Sequence, residues 1–291
     1  MVATDKVFAG SIPEIYDRFL VPLIFEPYAS DLAGRVAAIQ PPDVLETAAG
    51  TGVLTRALAS RLARSARIVA TDLNQPMLDQ ASRRQTEGTV EWKQADALAL
   101  PFGDEGFDVV ACQFGVMFFP DKVQGFKEAR RMLRPGGRFL FNVWDRIENN
   151  EFADVVTDAL AEVFPDDPPR FMARTPHGHH DGGPIREALM AAGFTDISID
   201  AVPDVEQETS ARLQHPPRLP VSLDLVGKEH HAELAGHDVE ARIAERQRQR
   251  VGLLPFGAAT GLSPRGLVEH RLVEIGGDET HGRRQPRCEG A

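Results

Sequence analysis

Residues 43–58 read Asp-Val-Leu-Glu-Thr-Ala-Ala-Gly-Thr-Gly-Val-Leu-Thr-Arg-Ala-Leu and carry the most specific chemistry in the chain. Gly50 and Gly52 have no side chain, so a ligand can lie directly on the backbone there. Val44 and Leu45 read as a short buried strand, Ala48 to Gly52 as a turn of very small residues, and Val53 to Leu62 as a helix. That helix aims its free N–H groups and positive dipole end at the turn, which favours a negatively charged ligand group. A dinucleotide turn requires a third small residue for close helix packing, and Thr55 stands in its place. Glu46, four residues before Gly50, is not something a dehydrogenase turn needs.

Further along, Arg67-Ile-Val-Ala-Thr-Asp72 is a second short strand ending in a carboxylate. An acid at this strand end, about 20 residues past the glycines, is placed to accept hydrogen bonds from a ribose diol. The alternative for Asp72 is a solvated turn residue. Asn74 has the type and place of an N-cap for a helix through Met77, Leu78 and Ala81. Val90-Glu-Trp-Lys-Gln94 is a third strand, followed by Ala95-Asp-Ala-Leu98. Phe107-Asp-Val-Val-Ala-Cys-Gln113 is a nearly continuous apolar run, as in a central parallel strand buried on both faces. Gln113 and Phe114 project at its carboxyl end, and Cys112 reads as core. Asp121 caps the next helix, Leu133-Arg-Pro-Gly-Gly-Arg138 is a helix stop and turn, and Phe139 to Trp144 a fifth strand.

Glu46-x-x-x-Gly50-x-Gly52, the strand-end Asp72, the Gln-Ala-Asp-Ala step, the Phe-Asp-Val-Val strand and the Leu-Arg-Pro-Gly-Gly turn occur in one order. Together they resemble the class I S-adenosylmethionine-dependent methyltransferases over residues 12–200, most closely the branch containing the ubiquinone and menaquinone C-methyltransferases. The resemblance implies a doubly wound α/β fold, a mostly parallel seven-stranded sheet with N-terminal helices. It also implies S-adenosylmethionine as cofactor and methyl transfer to a carbon, oxygen or nitrogen of a small molecule. Gly50 and Gly52 then approach the methionine moiety, Asp72 holds the ribose, and Asp96 with Leu98 holds the adenine. Glu46, Ala48, Leu73, Met77 and Ala97 belong to the same cofactor site. Gln113 and Phe114 line the transfer site. Tyr16, on an N-terminal helical segment that closes over the cofactor in such enzymes, completes the set. Two rivals stand beside this reading. One is a nicotinamide oxidoreductase, against which the missing third glycine counts; the other is a non-catalytic cofactor binder.

Three regions position these residues. Residues 1–40 form an N-terminal helical segment, read as amphipathic helices packing on the sheet edge or, as the resemblance implies, as a lid. Ser11-Ile-Pro-Glu14 matches a capping box, Pro22 bends or restarts the helix, and a second helix runs to about Ile39. Residues 41–202 form the cofactor-binding α/β domain. Within it lies the loop Thr175-Pro-His-Gly-His-His-Asp181, read as an ordinary loop, as a substrate-pocket wall or as a metal site. No regular ligand spacing supports the metal, so none is expected. His177 is the candidate base there for an acidic substrate proton. Met117, Phe118 and Phe119 suggest an apolar acceptor or are simply core.

Residues 203–291 form an atypical region with a single aromatic residue, Phe256, and weak apolar periodicity; this composition tends to disorder. The family's last antiparallel strand could be sought in Pro220 to Val226, while Leu272-Val-Glu-Ile275 is very short. The region therefore reads as a divergent appendage, or the product of a shifted reading frame, rather than the family's usual terminus. Across all 291 residues the net charge is −11, which argues against nucleic-acid or anionic-membrane partners. Two cysteines, no leader pattern and no apolar run of membrane-spanning length make a cytoplasmic soluble protein the expectation.

Overall fold

The computed structural model describes residues 12–85, 88–202 and 270–276, together with Gly10. A parallel core is built from β1 (Asp43–Glu46), β2 (Arg67–Asp72), β3 (Val90–Gln94), β4 (Phe107–Gln113) and β5 (Leu133–Trp144). The intervening helices are α3 (Val53–Arg61), α4 (Gln75–Arg84) and α5 (Lys122–Met132). Beyond the parallel strands come α6 (Glu151–Val163), α7 (Phe171–Arg174), α8 (Gly182–Ala191) and β6 (Asp196–Val202). The last element is β7 (His270–Gly276), and the seven strands run β3-β2-β1-β4-β5-β7-β6.

Alternation along β4 explains its apolar run. Phe107, Val110 and Cys112 fill the core on one face of the sheet, while Val109 and Ala111 fill the core on the other. A strand covered on both faces cannot show the polar alternation of a half-exposed one. β5 divides similarly, with Phe139, Phe141 and Val143 on one side and Leu140 on the other.

The chain's C-terminal region corrects an expectation. Residues 270–276 slot between β5 and β6, antiparallel to both, and complete the sheet. Val273 and Ile275 enter one core and Leu272 the other, while Glu274 accepts a hydrogen bond from Arg35 at 3.1 Å. A strand this short is fixed by two seven-residue ladders, not by its own periodicity. Pro220 to Val226 and the rest of 203–291 lie outside the described residues.

Three local expectations also shift. β5 begins at Leu133, already paired with Phe107, and the Arg-Pro-Gly-Gly stretch is a bulge before pairing resumes at Arg138 opposite Val109. Asn74 makes no capping bond through its side chain. Its backbone N–H and Nδ2 donate instead to Asp72, at 2.8 and 3.4 Å. At the N-terminus, α1 (Ile12–Ile15) widens into a π-helix, Tyr16–Phe25, with Pro22 inside it; α2 (Glu26–Ile39) follows. Ser11 of the capping box lies outside the described residues. Asp121 does cap α5, accepting from the Gln124 N–H at 2.9 Å. Among the described residues no helix is long and apolar enough to cross a membrane.

Candidate active site

The glycine turn hangs between two strands. Thr47 N–H donates to the Ala111 carbonyl of β4 and Ala49 N–H to the Thr71 carbonyl of β2, each at 2.9 Å. Ala48, Gly50 and Gly52 all have left-handed backbones, with φ of 52°, 57° and 78°. The two glycines serve different needs. A Cβ on Gly52 would sit 2.8 Å from the Trp92 ring and 3.1 Å from Ala81, so its bareness lets α3 and α4 pack closely. A Cβ on Gly50 would meet only the Met77 methyl at 3.6 Å. Gly52 is also the N-cap of α3 and supplies no side-chain cap, so no cap occupies the first amides of that helix.

Carboxylates surround the turn. Asp72 is buried, so it is no solvated turn residue. Its Oδ2 accepts the Gly50 N–H at 2.9 Å and its Oδ1 the Asn74 N–H at 2.8 Å. Burial pushes its pKa up, and these backbone donors pull it back. Oδ1 also takes a longer bond from Asn74 Nδ2, at 3.4 Å, which leaves Oδ2 as the less occupied oxygen. Leu73 beside it is an exposed large apolar side chain. Glu46 is fully buried, accepts from Thr55 Oγ1 at 2.6 Å, and is pushed up to about 8 chiefly by burial.

The stretch after β3 is pinned to α5. Asp96 is exposed and its Oδ1 accepts the Leu98 N–H at 2.9 Å. Gln124 donates to the Leu98 carbonyl, Glu128 accepts the Leu100 N–H, and Arg131 donates to the carbonyls of Leu100 and Phe102. This loop is therefore held rigidly by a helix that follows it in sequence.

At the carboxyl end of β4, Phe114 has a left-handed backbone, φ 49°, which a bulky residue adopts only under constraint. Asn142 supplies it, accepting the Phe114 N–H with both its carbonyl at 3.2 Å and its Oδ1 at 3.0 Å. The Phe114 ring stacks on Trp144 with centroids 3.7 Å apart, and Phe25 and Tyr28 meet the pair edge-on or tilted. Gln113 turns to the N-terminal segment, donating from Nε2 to the Phe25 carbonyl at 2.9 Å. Tyr16 packs on Phe25, and burial raises its phenol, with the charges of Asp72 and Asp17 adding.

The histidine loop is built, not loose. His177 is buried, its Nδ1 2.8 Å from the Asp145 carbonyl, and its ring centroid lies 6.1 Å from that of Trp144. A carbonyl only accepts, so Nδ1 carries the hydrogen and Nε2 carries the lone pair. Burial holds its pKa below the ordinary value, keeping the ring neutral at pH 7. His180 Nδ1 bonds back to the His177 carbonyl at 2.7 Å, and burial drives His179 down to about 4. Cys112 is buried and pushed up to about 12, which leaves it a core thiol. Met117 and Phe119 are core as well, while Phe118 is part-exposed against Phe171.

The sequence does not single out Asn142 or Trp144, although both join these contacts, nor Asp17, which has the charged Arg18 beside it.

The arrangement suits S-adenosylmethionine. A carboxylate at the end of β2 suits the hydroxyls of a ribose diol, and an exposed apolar side chain adjoins it. Among the described residues, three buried polar atoms here have no hydrogen-bond partner: Thr51 Oγ1, Gln113 Oε1 and Asn142 Nδ2. They leave both donor and acceptor capacity unused beside the glycine turn and the end of β4.

Comparison with known proteins agrees. Residues 45–141 match a family model described as a methyltransferase domain. The ubiquinone/menaquinone biosynthesis C-methyltransferase UbiE of Ectopseudomonas mendocina is 29% identical over 208 residues, covering 67% of this chain and 76% of that protein. Its counterpart in Azotobacter vinelandii is 30% identical over 208 residues, covering 67% and 77%. The solved structure of Haemonchus contortus phosphoethanolamine N-methyltransferase 2 has a TM-score of 0.56 at 15% identity, over 95% of this chain and 60% of that one. That likeness speaks to the fold. The chain belongs to the class I S-adenosylmethionine-dependent methyltransferases, in the branch of the UbiE C-methyltransferases, and is a methyltransferase that uses that cofactor.

Proposed function

We propose that this enzyme methylates a ring carbon of a small hydroxylated aromatic acceptor of the quinol type. The observation that carries the reading is the stacked Phe114–Trp144 pair at the strand end, with the neutral, buried His177 beside it. Flat aromatic walls favour a flat aromatic acceptor. The names of the UbiE relatives, which specify quinone biosynthesis and carbon methylation, support it too.

In this reading residues 41–202 hold the cofactor and residues 1–40 cover it. When bound, the cofactor supplies a methyl group already activated on a sulfonium. The backbone of Ala48, Gly50 and Gly52 receives the methionyl end, Asp72 the ribose hydroxyls, and Asp96 the adenine amino group. Leu73, Met77, Ala97 and Leu98 give apolar cover to the nucleoside, with Tyr16 above. Gln113 and Phe114 border the transferring methyl. His177 Nε2 takes the acceptor's phenolic proton, which makes the ring carbon nucleophilic. The cofactor held by these residues would supply the methyl to that carbon and keep the electron pair of the carbon–sulfur bond. The ring proton would pass to water to restore aromaticity. Alignment and exclusion of water supply the rest of the rate.

The test is incubation with labelled cofactor and a short-chain demethylated naphthoquinol kept reduced. The expected product carries one new methyl on a ring carbon, located by NMR. A methyl ether, or transfer to an amine while the quinol is refused, would overturn the assignment.

Glu46 adds a second expectation. With its pKa at about 8 it holds a proton at neutral pH before the cofactor binds. The arriving methionyl ammonium favours the ionised form, so binding near pH 7 releases up to about one proton. Calorimetric enthalpies measured in two buffers of different ionisation heat should then differ. The difference should shrink in Glu46→Gln at the same pH. Equal enthalpies at pH 7 would show that Glu46 does not titrate on binding.

A further inference from the structure

Asp17 is the most deeply buried charge on the N-terminal segment, its side chain 1% exposed. Three partners from two other helices converge on it. Arg84 of α4 pairs with Oδ2 at 2.5 Å, Gln80 of α4 donates to the same oxygen at 3.1 Å, and Arg56 of α3 lies 3.5 Å from Oδ1. Arg56 is shared, because its other terminal nitrogen donates to the Thr51 carbonyl at 2.6 Å. One carboxylate thus links the segment to α4 and, through a single guanidinium, to the glycine turn itself.

We propose that Asp17 is a latch that ties the N-terminal cover to the cofactor-binding turn and thereby sets how fast the spent cofactor leaves. The proposal rests on the reading above, that Tyr16–Phe25 covers the cofactor. Asp17 is on this view a positioning residue, acting through Arg56 and Thr51.

Physical chemistry favours a latch over a plain stabilising contact. A buried ion pair adds little net stability, since desolvation offsets most of its attraction, but it fixes one geometry and is costly to break on one side only. The segment itself needs such fixing. It is a π-helix of ten residues with Pro22 inside, a geometry uncommon beyond a single turn and frequent at functional sites. Its far end is held by the Gln113 bond to the Phe25 carbonyl, and its near end by the ion pair of Asp17 with Arg84. The latch is also incomplete. Oδ1 is buried and has no hydrogen-bond partner among the described residues. An open cleft of about 370 Å³, bordered by Asp17, Arg18, Glu26 and Arg84, reaches the same junction. Water entering there can take over the latch's bonds as the cover lifts.

The experiment follows dissociation of S-adenosylhomocysteine from the full chain after a chase with excess S-adenosylmethionine. It compares wild type, Asp17→Asn, Arg84→Gln, Arg84→Lys and Tyr16→Ala, with the melting temperature of each unliganded protein measured alongside. Asp17→Asn should release about 10-fold faster or more. Arg84→Gln should accelerate release less, and Arg84→Lys should recover much of the wild-type rate. If Asp17→Asn does not fold, the Arg84 pair carries the test, because that side chain is half exposed. Lowered melting with unchanged release in the Asp17 and Arg84 variants, while Tyr16→Ala releases quickly, would overturn the latch and leave the cover standing. Unchanged release in Tyr16→Ala as well would overturn both.

Discussion

Asp72→Ala should weaken binding of S-adenosylmethionine and S-adenosylhomocysteine by about 100-fold or more. In the proposed placement the lost ribose contacts are hydrogen bonds to a charged acceptor, each worth about 1.5–3 kcal/mol. Two of them exceed the roughly 2.8 kcal/mol that corresponds to a hundredfold in affinity. The substitution also strands the N–H groups of Gly50 and Asn74, which now end on the carboxylate. Part of the loss will therefore come from a loosened glycine turn. Asp72→Asn separates the two contributions, since its single amide oxygen can still accept from one of those N–H groups. Isothermal titration of both variants, with melting curves to confirm folding, gives the result. Affinity within about threefold of wild type in folded Asp72→Ala would remove Asp72 from the site.

The parts of this site that were readable in the sequence share one property: their residue types are required locally. A buried parallel strand must be apolar throughout, so β4 announced itself. A turn with left-handed backbone at Gly50 and Gly52 must be glycine-rich, and a carboxylate closing a strand is conspicuous in Asp72. Other features depend on partners far along the chain. β7 is Leu-Val-Glu-Ile with a few flanking residues, and only the gap between β5 and β6 makes it a strand. Gly52 looked like a place for a ligand to approach, yet its bareness answers Trp92, forty residues on. Asn74 had the type and position of a cap, but the neighbouring carboxylate of Asp72 is a stronger acceptor for its N–H groups and claimed them. Asp17 carries no mark in the sequence, because nothing in residues 12–25 foretells Arg56 or Arg84.

The largest effect on turnover is expected at His177. Replacement by glutamine should lower kcat by about 10²–10³, the usual contribution of a positioned general base, and leave cofactor affinity unchanged. Glutamine can still donate to the Asp145 carbonyl, so the loop keeps its anchor while the imidazole lone pair is lost. The pH profile distinguishes a base from a merely structural histidine. A base must be neutral to act, and burial holds His177 below its ordinary 6.5, so the acidic limb of the rate should fall below pH 6.5. His179, driven down to about 4, would give a limb far lower still. The same depression has a stability consequence with a definite sign. Below pH 6.5 the unfolded chain takes up this proton before the folded one does, so folding stability declines as pH falls from 6.5 through the lower folded value. Melting curves at each pH are needed to keep the two effects apart. An acidic limb that survives unchanged in folded His177→Gln would assign the base elsewhere and leave His177 as a wall of the acceptor pocket.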